Sequence, residues 1–254
     1  MMYAEERHRT IAEKARDERR VEVSTLAASF GVSPETIRRD LSALEQQGIL
    51  RRTHGGAVPI EQVRFEYEVA ERLSRMSEEK ARIADSALRF VPERGTVLLD
   101  SGTTTGALAG LLPAGQELTV VTNCLPIASQ LVAHSSVTVL IAGGRVRART
   151  LAAVDDLAVR FLDEFIPDVA FVATNGVTTE RGLTTPNPAE AAAKRAMVKS
   201  GRRVVLLADH TKVGQEHFVR FAGLDEIDVF VTDSGLGDGT AREFEAAGVE
   251  VVRA

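Results

Sequence analysis

Apolar residues recur at helical spacing between Ser33 and Gly48. Ile37, Leu41 and Leu44 stand at i, i+4 and i+7, so a helix over this segment would bury all three in one stripe. The opposite side of the same helix would carry Glu35, Arg39, Ser42 and Gln46. The pattern therefore predicts a helix with one face anchored in a core and the other presenting arginine to a partner.

The ends of this helix and the elements before it are also marked in the sequence. Ser33 can cap the first turn, and Pro34 suits the first helical position because its φ is already helical. Gly48 is a typical stop signal. Two helices are predicted upstream, one over residues 5–20 and a short one, capped by Ser24, over Thr25–Phe30. A tight turn at Gly31 would complete a helix-turn-helix.

The segment Ile49 to Val58 predicts a β-wing beside this helix. Two short strand-like pieces flank a Gly55-Gly56 turn, with arginines at the tip. Such a wing can place Arg51 and Arg52 against a nucleic-acid backbone, where positively charged side chains fix the position of a reading helix.

From residue 77 onward, short apolar runs alternate with helical patterns. A first helix is predicted over Glu78–Val91, with Ser77 as its cap. The predicted strands are Thr96–Leu99, Leu118–Thr122, Val137–Ala142, Val169–Ala173, Val204–Ala208, Val229–Thr232 and Val249–Val252. The predicted helices between them are Thr104–Leu112, Leu125–Ala133, Leu157–Phe165, Ala189–Ser200 and Thr240–Ala247. This alternation is typical of a mainly parallel, doubly wound α/β sheet.

These patterns divide the chain into three parts. Residues 1–58 would form a winged helix-turn-helix, residues 59–76 a linker, and residues 77–254 the α/β domain. The net charge of -5 is unevenly spread, because residues 1–57 carry ten Lys and Arg against nine Asp and Glu. An acidic second domain repels phosphate, so nucleic-acid contact is expected in the N-terminal part alone.

Composition excludes several other classes of protein. No apolar run approaches the ~18 residues of a membrane span, and the N-terminus shows no hydrophobic signal segment. The single cysteine, Cys124, excludes an intramolecular disulfide, and the five histidines lack the close helical spacing of a zinc site. We therefore expect a soluble cytoplasmic protein with no membrane partner, metal or cofactor.

Polar stretches follow several predicted strands, where doubly wound sheets bind ligands. Asp100 to Thr105 open a helix whose free N–H groups and threonine hydroxyls would suit a phosphate. This stretch lacks the Lys of a nucleotide P-loop, and Gly and Thr are also ordinary punctuation between strand and helix. Glu190 has two explanations, ligand contact or a capping box that starts at Asn187. The other candidate loops are Thr122-Asn123, Gly143-Gly144-Arg145, Asn175-Gly176 and Asp209-His210-Thr211-Lys212.

The N-terminal motifs resemble the DeoR-type winged helix-turn-helix of bacterial sugar-metabolism repressors. The matching residues are Leu26-Ala27, Phe30-Gly31-Val32-Ser33, Thr36-Ile37-Arg38-Arg39-Asp40-Leu41, Leu44-Glu45, Gly48, Leu50 and His54-Gly55-Gly56-Ala57. The residues then expected to face DNA are Ser33, Glu35, Thr36, Arg38, Arg39, Ser42, Arg51, Arg52 and His54. Asp40 would either meet DNA or orient Arg39 or a neighbouring cation.

The second part resembles the sensor domain of the same family. The matching residues include Glu79-Lys80, Asp100-Ser101-Gly102-Thr103-Thr104, Val121-Thr122-Asn123, Gly143-Gly144-Arg145, Gly182-Leu183-Thr184, Glu190 with Lys194, and Asp209 with Lys212. The resemblance implies a domain that binds a phosphorylated sugar and thereby changes DNA affinity. Two positions depart from the family pattern: Asp155-Asp156 stands where glycine is usual, and His210-Thr211 replaces smaller residues.

This sensor domain is in turn similar to ribose-5-phosphate isomerase A. Gly102 to Thr105 look like that enzyme's phosphate loop, and Asp209 to Lys212 like its Asp-x-Ser-Lys segment. The enzyme's acidic Asp-Gly-Ala-Asp-Glu segment corresponds to Thr174-Asn175-Gly176-Val177-Thr178, and aldose–ketose isomerisation needs a carboxylate base. Binding without catalysis is therefore expected, although an isomerase-like enzyme with an accessory DNA-binding domain is the alternative.

The expected function is that of a transcriptional repressor of a carbohydrate operon, released from double-stranded operator DNA by a sugar phosphate. Four segments look most like actinobacterial fructose-operon repressors, which implies fructose 1-phosphate: Met2 to Arg7, Leu125 to Ala128, Thr174 to Gly176 and Lys212 to Gly214. A homodimer or homotetramer is expected, since two readers span two half-sites. The residues expected to contact the effector are Asp100, Ser101, Gly102, Thr103, Thr104, Thr105, Thr122, Asn123, Gly144, Arg145, Asn175, Gly176, Glu190 and Lys212.

Overall fold

The computed structural model describes residues 4–18, 20–46, 49–53, 55–59, 69–113 and 115–254. The chain forms two compact units, residues 1–66 and residues 67–254. Each unit has its own hydrophobic core.

The first unit contains three helices and a small antiparallel sheet within its described residues. They are α1 (Ala4–Glu18), β1 (Val21–Glu22), α2 (Val23–Phe30), α3 (Pro34–Gln46), β2 (Leu50–Thr53) and β3 (Gly56–Pro59). Ile37, Leu41 and Leu44 are fully buried, so the predicted stripe of α3 is the anchored face. The cap is also confirmed, since Ser33 Oγ accepts a hydrogen bond from the Thr36 N–H at 3.2 Å.

Two local details of this unit differ from the prediction. Ser24 is the second residue of α2 and not its cap, because the helix already starts at Val23 after an extended Glu22. The wing has a third strand, since Val21 pairs with Ala57 and ties the start of α2 to the β2–β3 hairpin. A two-residue strand carries too little alternation to be seen in sequence. The predicted stop at Gly48 lies outside the described residues.

The second unit is built around a parallel sheet. Its helices are α4 (Val69–Ser74), α5 (Ser77–Ala87), α6 (Thr103–Leu111), α7 (Leu125–Leu131), α8 (Asp156–Asp163), α9 (Pro188–Ser200) and α10 (Asp238–Ala246). Its strands are β4 (Arg94–Leu99), β5 (Glu117–Thr122), β6 (Val137–Ile141), β7 (Arg145–Arg147), β8 (Ala152–Val154), β9 (Val169–Ala173), β10 (Gly176–Thr178), β11 (Gly182–Thr185), β12 (Val204–Leu207), β13 (Val219–Ala222), β14 (Val229–Thr232) and β15 (Glu250–Arg253).

Seven of these strands form one parallel sheet in the order β15-β14-β12-β9-β4-β5-β6. They are the seven strands predicted from sequence, so the doubly wound α/β prediction is confirmed. Alternate residues of each strand face opposite cores: Leu98 packs with Val172 on one side, and Leu99 packs with Phe171 on the other. The strand order reverses between β4 and β9, which is where such sheets leave a crevice for ligands.

Antiparallel additions surround the carboxyl edge of this sheet, and the sequence did not predict them. A β7–β8 hairpin follows β6, and a three-stranded sheet has the order β10-β11-β13. These strands have three or four residues each and lie between loop-like stretches, so their periodicity is weak.

The start of the second unit also differs from the prediction. Ser77 is the first residue of α5 and not its cap, and the preceding Met76 has a left-handed conformation with φ 52°. The helix ends at Ala87 and continues as a short 3-10 turn over Leu88–Phe90, short of the predicted Val91. Helix α4 falls in the range predicted as linker. The bounds 59–76 of that linker stay a prediction, because residues 60–68 lie outside the described residues. Within the described chain, no helix combines the length and apolarity needed to cross a membrane.

Candidate functional site

The exposed face of α3 presents basic and polar side chains. Arg39 is exposed and makes no hydrogen bond or ion pair with the described residues. Arg38 pairs with Glu35 through Nη1 and Oε2 at 3.2 Å, and both side chains are more than half exposed. Thr36 shares a hydroxyl–hydroxyl hydrogen bond of 2.9 Å with Ser33. Arg39 is therefore the freest cation of this surface among the described side chains.

The wing is fastened to α3 by Arg52. Its Nη1 donates to Ser42 Oγ at 3.1 Å, and its backbone N–H donates to Glu45 Oε1 at 2.9 Å. Ser42 also donates to the Arg38 carbonyl at 2.9 Å, so helix and wing form one continuous polar surface. The side chain of Arg51 and all of His54 lie outside the described residues.

Asp40 lies on the anchored side of α3. It is 5% exposed, and its carboxylate accepts hydrogen bonds from Arg7 and from His8 Nε2, both on α1. The neighbouring cation that Asp40 engages is therefore Arg7 and not Arg39. Its contacts fix α3 against α1 and leave Arg39 free to face a partner.

In the second unit, the predicted phosphate loop opens α6 at the crevice between β4 and β9. No side chain caps this end in the described structure, and the first helical bond runs from the Gly106 N–H to the Gly102 carbonyl at 2.9 Å. The N–H groups of Thr103 and Thr104 thus stay available, and the hydroxyls of both residues line the same cavity without a partner among the described residues. A helix start of this kind binds anions.

Four cations surround this helix start. Lys212 and Lys80 line the cavity together with Arg72 and Arg75. Burial lowers the pKa of Lys212, and it lowers the pKa of Lys80 to about 8, while the Asp209 carboxylate acts in the opposite direction on both. Within the described residues, Lys212 Nζ has no hydrogen bond or ion pair. Among the residues that line the cavity, these four cations outnumber the one acid, Asp209, so the site has an excess of positive charge.

A larger and mostly apolar cavity of about 280 Å³ lies directly beside it. The two cavities share Arg72, Lys80 and Thr103 in their walls. The larger one is also lined by Leu73, Cys124, Ile127 and Thr150. Burial raises the pKa of the Cys124 thiol, so Cys124 forms an apolar part of this wall. The pair of cavities offers one charged end and one larger, mostly apolar end.

Asp100 is fully buried beneath the phosphate loop, and its carboxylate is already engaged by the protein. It accepts hydrogen bonds from Ser101 N at 2.7 Å and Ala173 N at 2.9 Å, and it forms a buried ion pair with Lys194. Thr105 Oγ1 donates to the Asp100 carbonyl at 2.7 Å. Asp100 and Thr105 thus join β4, β9 and α9 and set the position of the loop.

The loops after β5 and β9 contain further predicted residues. Thr122 Oγ1 donates to the Leu99 carbonyl at 2.6 Å, and Asn123 Nδ2 donates to the Ala153 carbonyl at 3.0 Å. Asn123 Oδ1 is buried without a hydrogen-bond partner in the described structure. Asn175 Oδ1 accepts from Thr185 Oγ1 at 2.9 Å. At Gly176 an added Cβ would lie 2.3 Å from the Gln215 carbonyl oxygen, so this position requires glycine for close backbone approach.

Glu190 stands in the capped first turn of α9, but its side chain does not complete a capping box. Asn187 caps α9, because its side chain accepts from the N–H groups of Ala189 and Glu190 at 3.1 Å. The Glu190 carboxylate, however, reaches Arg147 Nη1 at 2.6 Å and the Thr150 hydroxyl, away from the helix start. Burial opposes ionisation of Glu190, but the charge of Lys194 and the contacts with Thr150 and Arg147 outweigh it and lower its pKa. Through Thr150, Glu190 shapes the wall of the larger cavity.

Arg145 does not join the cations at the α6 start. It is exposed and pairs with Asp155 through Nε and Oδ2 at 2.6 Å. Asp155 has φ 74° and ψ -173°, a region that is essentially restricted to glycine. The family resemblance led us to expect glycine at this position, and the backbone conformation of Asp155 is one that favours glycine.

Several residues at these cavities were not predicted as site residues. Those that line a cavity are Arg72, Arg75, Lys80 and Thr150, whereas Arg147 and Lys194 line neither cavity and pair with the predicted residues Glu190 and Asp100. Arg72 and Arg75 were assigned to the linker, because a six-residue helix with few apolar positions gives little signal. Lys80 and Lys194 entered only through the family resemblance, since a lone lysine on an amphipathic helix is normally a solvated residue.

Comparison with known proteins agrees with this arrangement of two units. Residues 7–63 match the DeoR-like helix-turn-helix domain, and residues 75–234 match the DeoR C-terminal sensor domain. The chain belongs to the DeoR family. This DeoR protein is 40% identical over 251 residues to the HTH-type transcriptional regulator GlpR of Haloferax volcanii, covering 99% of this chain and 98% of that protein. It is 32% identical to the glycerol-3-phosphate regulon repressor of Escherichia coli, over 90% of each chain.

The sensor unit of this DeoR protein also has distant likeness among solved structures. Ribose 5-phosphate isomerase A of Methanocaldococcus jannaschii matches with a TM-score of 0.42 and 14% identity, over 55% of this chain and 56% of that chain. This likeness concerns the fold alone.

Proposed function

We propose that this DeoR family member is a DNA-binding transcriptional repressor of a carbohydrate operon whose sensor domain binds a phosphorylated sugar and then releases the operator. The observation that carries the proposal is the cationic cavity at the start of α6. There, unpaired N–H groups and hydroxyls of Thr103 and Thr104 share a cavity with Lys212 and Lys80, next to a larger, mostly apolar cavity.

A phosphate group fits the chemistry of this cavity better than a carboxylate. Two lysines and two arginines line it, whereas Asp209 is the acid that raises the pKa of both lysines. A dianion would neutralise more of this charge than a monoanion, and its three terminal oxygens could accept from several donors at once. In this proposal Asp100, Ser101 and Thr105 position the loop, while Thr103, Thr104 and Lys212 hold the phosphate.

The remainder of the ligand would occupy the larger cavity, whose volume of about 280 Å³ suits a small phosphorylated sugar or polyol. Fructose 1-phosphate is our first candidate, because the sequence motifs resemble those of fructose-operon repressors. Glycerol 3-phosphate is the competing candidate, because the Escherichia coli relative is named as the glycerol-3-phosphate regulon repressor.

We infer binding without isomerisation at this site. At the position of the isomerase's acidic segment, Thr174 donates to the Gly176 carbonyl at 2.8 Å and Asn175 accepts from Thr185. Neither side chain can act as a carboxylate base. The relatives named above are likewise a regulator and a repressor.

We also propose a homodimer or homotetramer that assembles through the second unit. Two reading helices are required to occupy two half-sites one helical turn apart. Large apolar side chains are exposed on this unit, among them Val132, Leu157, Ile166 and Phe218. Sedimentation at several concentrations would test this, and a monomer at micromolar concentration would contradict it.

The proposed function is tested with the full chain by thermal shift and by operator binding. Fructose 1-phosphate, glycerol 3-phosphate, ribose 5-phosphate and inorganic phosphate are titrated, and a true ligand at 100 times its Kd should add about 2.7 kcal/mol of stability. The Lys212→Ala variant should lose this effect, whereas Lys199→Ala, which removes an exposed lysine of α9, should keep it. The proposal would be overturned if the two variants responded equally to the ligands. It would also be overturned if no phosphate ester released the protein from DNA upstream of the operon.

A further inference from the structure

Helix α4 brings two of the four cations to the effector cavity. Arg72 and Arg75 lie on this helix, and Arg72 borders both the small charged cavity and the larger apolar one. Helix α4 is also the first described element of the second unit, so the chain that comes from the wing enters the sensor through it. A ligand in these cavities would therefore contact the helix through which the chain enters the second unit. The inference drawn from this placement rests on the proposed function.

Helix α4 depends on other elements for its position. It has six residues, and a helix of that length is unstable alone because nucleation is costly. Lys80 on α5 supports it, since Nζ donates to the carbonyls of Arg72 and Arg75 at the end of α4. Leu73 of α4 is 57% exposed although it lines the larger cavity, so apolar burial contributes little to holding the helix.

Repulsion between the cations around α4 opposes the support from Lys80 as long as no anion is bound. Arg72 and Arg75 each disfavour protonation of both Lys80 and Lys212, which means that the four cations repel one another. Glu71 offsets part of the charge, but its Oε1 is 3.8 Å from Arg75 Nη1 and more than two fifths of each side chain is open to solvent. A phosphate between Arg72 and the α6 start would turn this repulsion into attraction.

We propose that α4 is an effector-dependent latch in which the phosphate bridges Arg72 to Thr103, Thr104 and Lys212 and so fixes the entry point of the chain on the sensor. Without ligand, the carbonyl contacts of Lys80 help to hold a short helix among like charges. With ligand, the anion is shared by α4, α6 and the 3-10 turn that carries Lys212. The tether that leads to the DNA-binding unit is then anchored differently in the two states, which supplies the differential interaction that any ligand-driven change requires.

Amide hydrogen exchange of the full chain tests the latch apart from the phosphate site. Saturating fructose 1-phosphate or glycerol 3-phosphate should slow exchange at residues 103–105 and, in addition, at residues 72–76, each by roughly tenfold. In Arg72→Gln at saturating ligand, protection at residues 103–105 should persist while protection at residues 72–76 is lost. Arg72→Lys, which restores a cation, should recover part of it.

Arg82→Gln is the matched control, because it removes an exposed arginine from the neighbouring α5 that lines neither cavity. This variant should behave as wild type in hydrogen exchange and in ligand-induced release of DNA. Arg72→Gln should still bind the ligand at saturating concentration, but the bound ligand should release DNA only weakly. Protection at residues 103–105 without protection at residues 72–76 in wild type would overturn the latch and leave the proposed function standing. Absence of protection at both segments with every phosphate ester would overturn the proposed function itself.

Discussion

Arg7 grips Asp40 with two hydrogen bonds, from Nε to Oδ2 at 2.6 Å and from Nη2 to Oδ1 at 3.0 Å. The pair joins the first helix of the chain to the reading helix α3, and both side chains are less than a tenth exposed. A bidentate arginine–carboxylate pair fixes orientation as well as distance. The direction in which α3 presents Arg39 thus depends on the Arg7–Asp40 pair, which is itself buried.

Replacing Asp40 with Ala should destabilise the first unit by about 2 kcal/mol, between the values typical of surface pairs and of fully buried ones. Arg7 would lose its carboxylate, and His8 would lose the same acceptor. Denaturant unfolding measures the loss. Glu35→Ala removes an exposed carboxylate from the same helix and should change stability little. Equal effects of the two variants would show that the Arg7 pair does not fix α3.

The stabilisation by Asp40 should depend on pH in a defined direction. Burial disfavours its ionised form, but the hydrogen bonds from Arg7 and His8 outweigh burial and lower its pKa. A lowered carboxyl pKa gives stability that is present above the unfolded value, near pH 4, and is lost as pH falls through the folded value. The stability gap between wild type and Asp40→Asn should therefore close on acidification below about pH 4. A gap that does not narrow at all as the pH falls below about 4 would contradict this assignment.

Replacing Arg39 with Ala should weaken binding to DNA without changing the sensor. Arg39 is exposed and makes no contact with described side chains, so its removal costs the fold little. Loss of one phosphate contact should reduce the salt dependence of DNA binding by about one unit of slope. Binding to the upstream operon DNA across a range of salt concentrations measures this, and ligand-induced thermal stabilisation is followed in parallel. Joint loss of both activities would mean that the two units do not act separately.

The sequence was most informative where burial imposes periodicity. The stripe of Ile37, Leu41 and Leu44 and the seven apolar strands were predicted because each must fill a core, and only few residue types can do so. Elements whose positions depend on polar contacts left no such pattern. Helix α4 was assigned to a linker, because it is placed by Lys80 and not by an apolar face.

The types of residue at the effector site were likewise predictable from the sequence, but the role of each residue was not. Asp100 and Lys212 were both predicted as effector contacts, yet only the structure shows that the Asp100 oxygens are engaged by Ser101, Ala173 and Lys194. Lys212 instead has no partner among the described residues. A sequence states which donors exist, whereas their availability depends on folding partners far apart along the chain.

Replacing Asp155 with Gly should stabilise the second unit. At φ 74° and ψ -173° the Asp155 backbone bears strain that glycine does not, and relief of such strain is worth about 1 kcal/mol or more. The exposed ion pair with Arg145 would be lost, but a pair so open to solvent contributes little. Asp155→Asn keeps the strain and removes the charge, so it should leave stability nearly unchanged. A lower thermal midpoint for Asp155→Gly than for Asp155→Asn would disprove the strain argument.

Binding of a phosphate ester should weaken as pH rises from 7 to 9. Burial lowers the pKa of Lys80 to about 8, so the free site loses this positive charge over that range. The phosphate itself stays a dianion, because its second pKa is about 6. If the ligand binds the protonated form, its affinity should fall by roughly tenfold between these pH values, and binding at pH 8 should take up protons.

Lys80→Arg separates this effect from titration of its neighbour. The pKa of Lys212 is also lowered by burial, so it too could lose charge in the same range. Arginine stays protonated throughout, and a profile that becomes flat in Lys80→Arg would therefore assign the pH dependence to Lys80. Calorimetric titration in buffers of different ionisation enthalpy measures the proton uptake directly. If the tenfold fall in affinity persists in Lys80→Arg, the group that titrates between pH 7 and 9 is not Lys80.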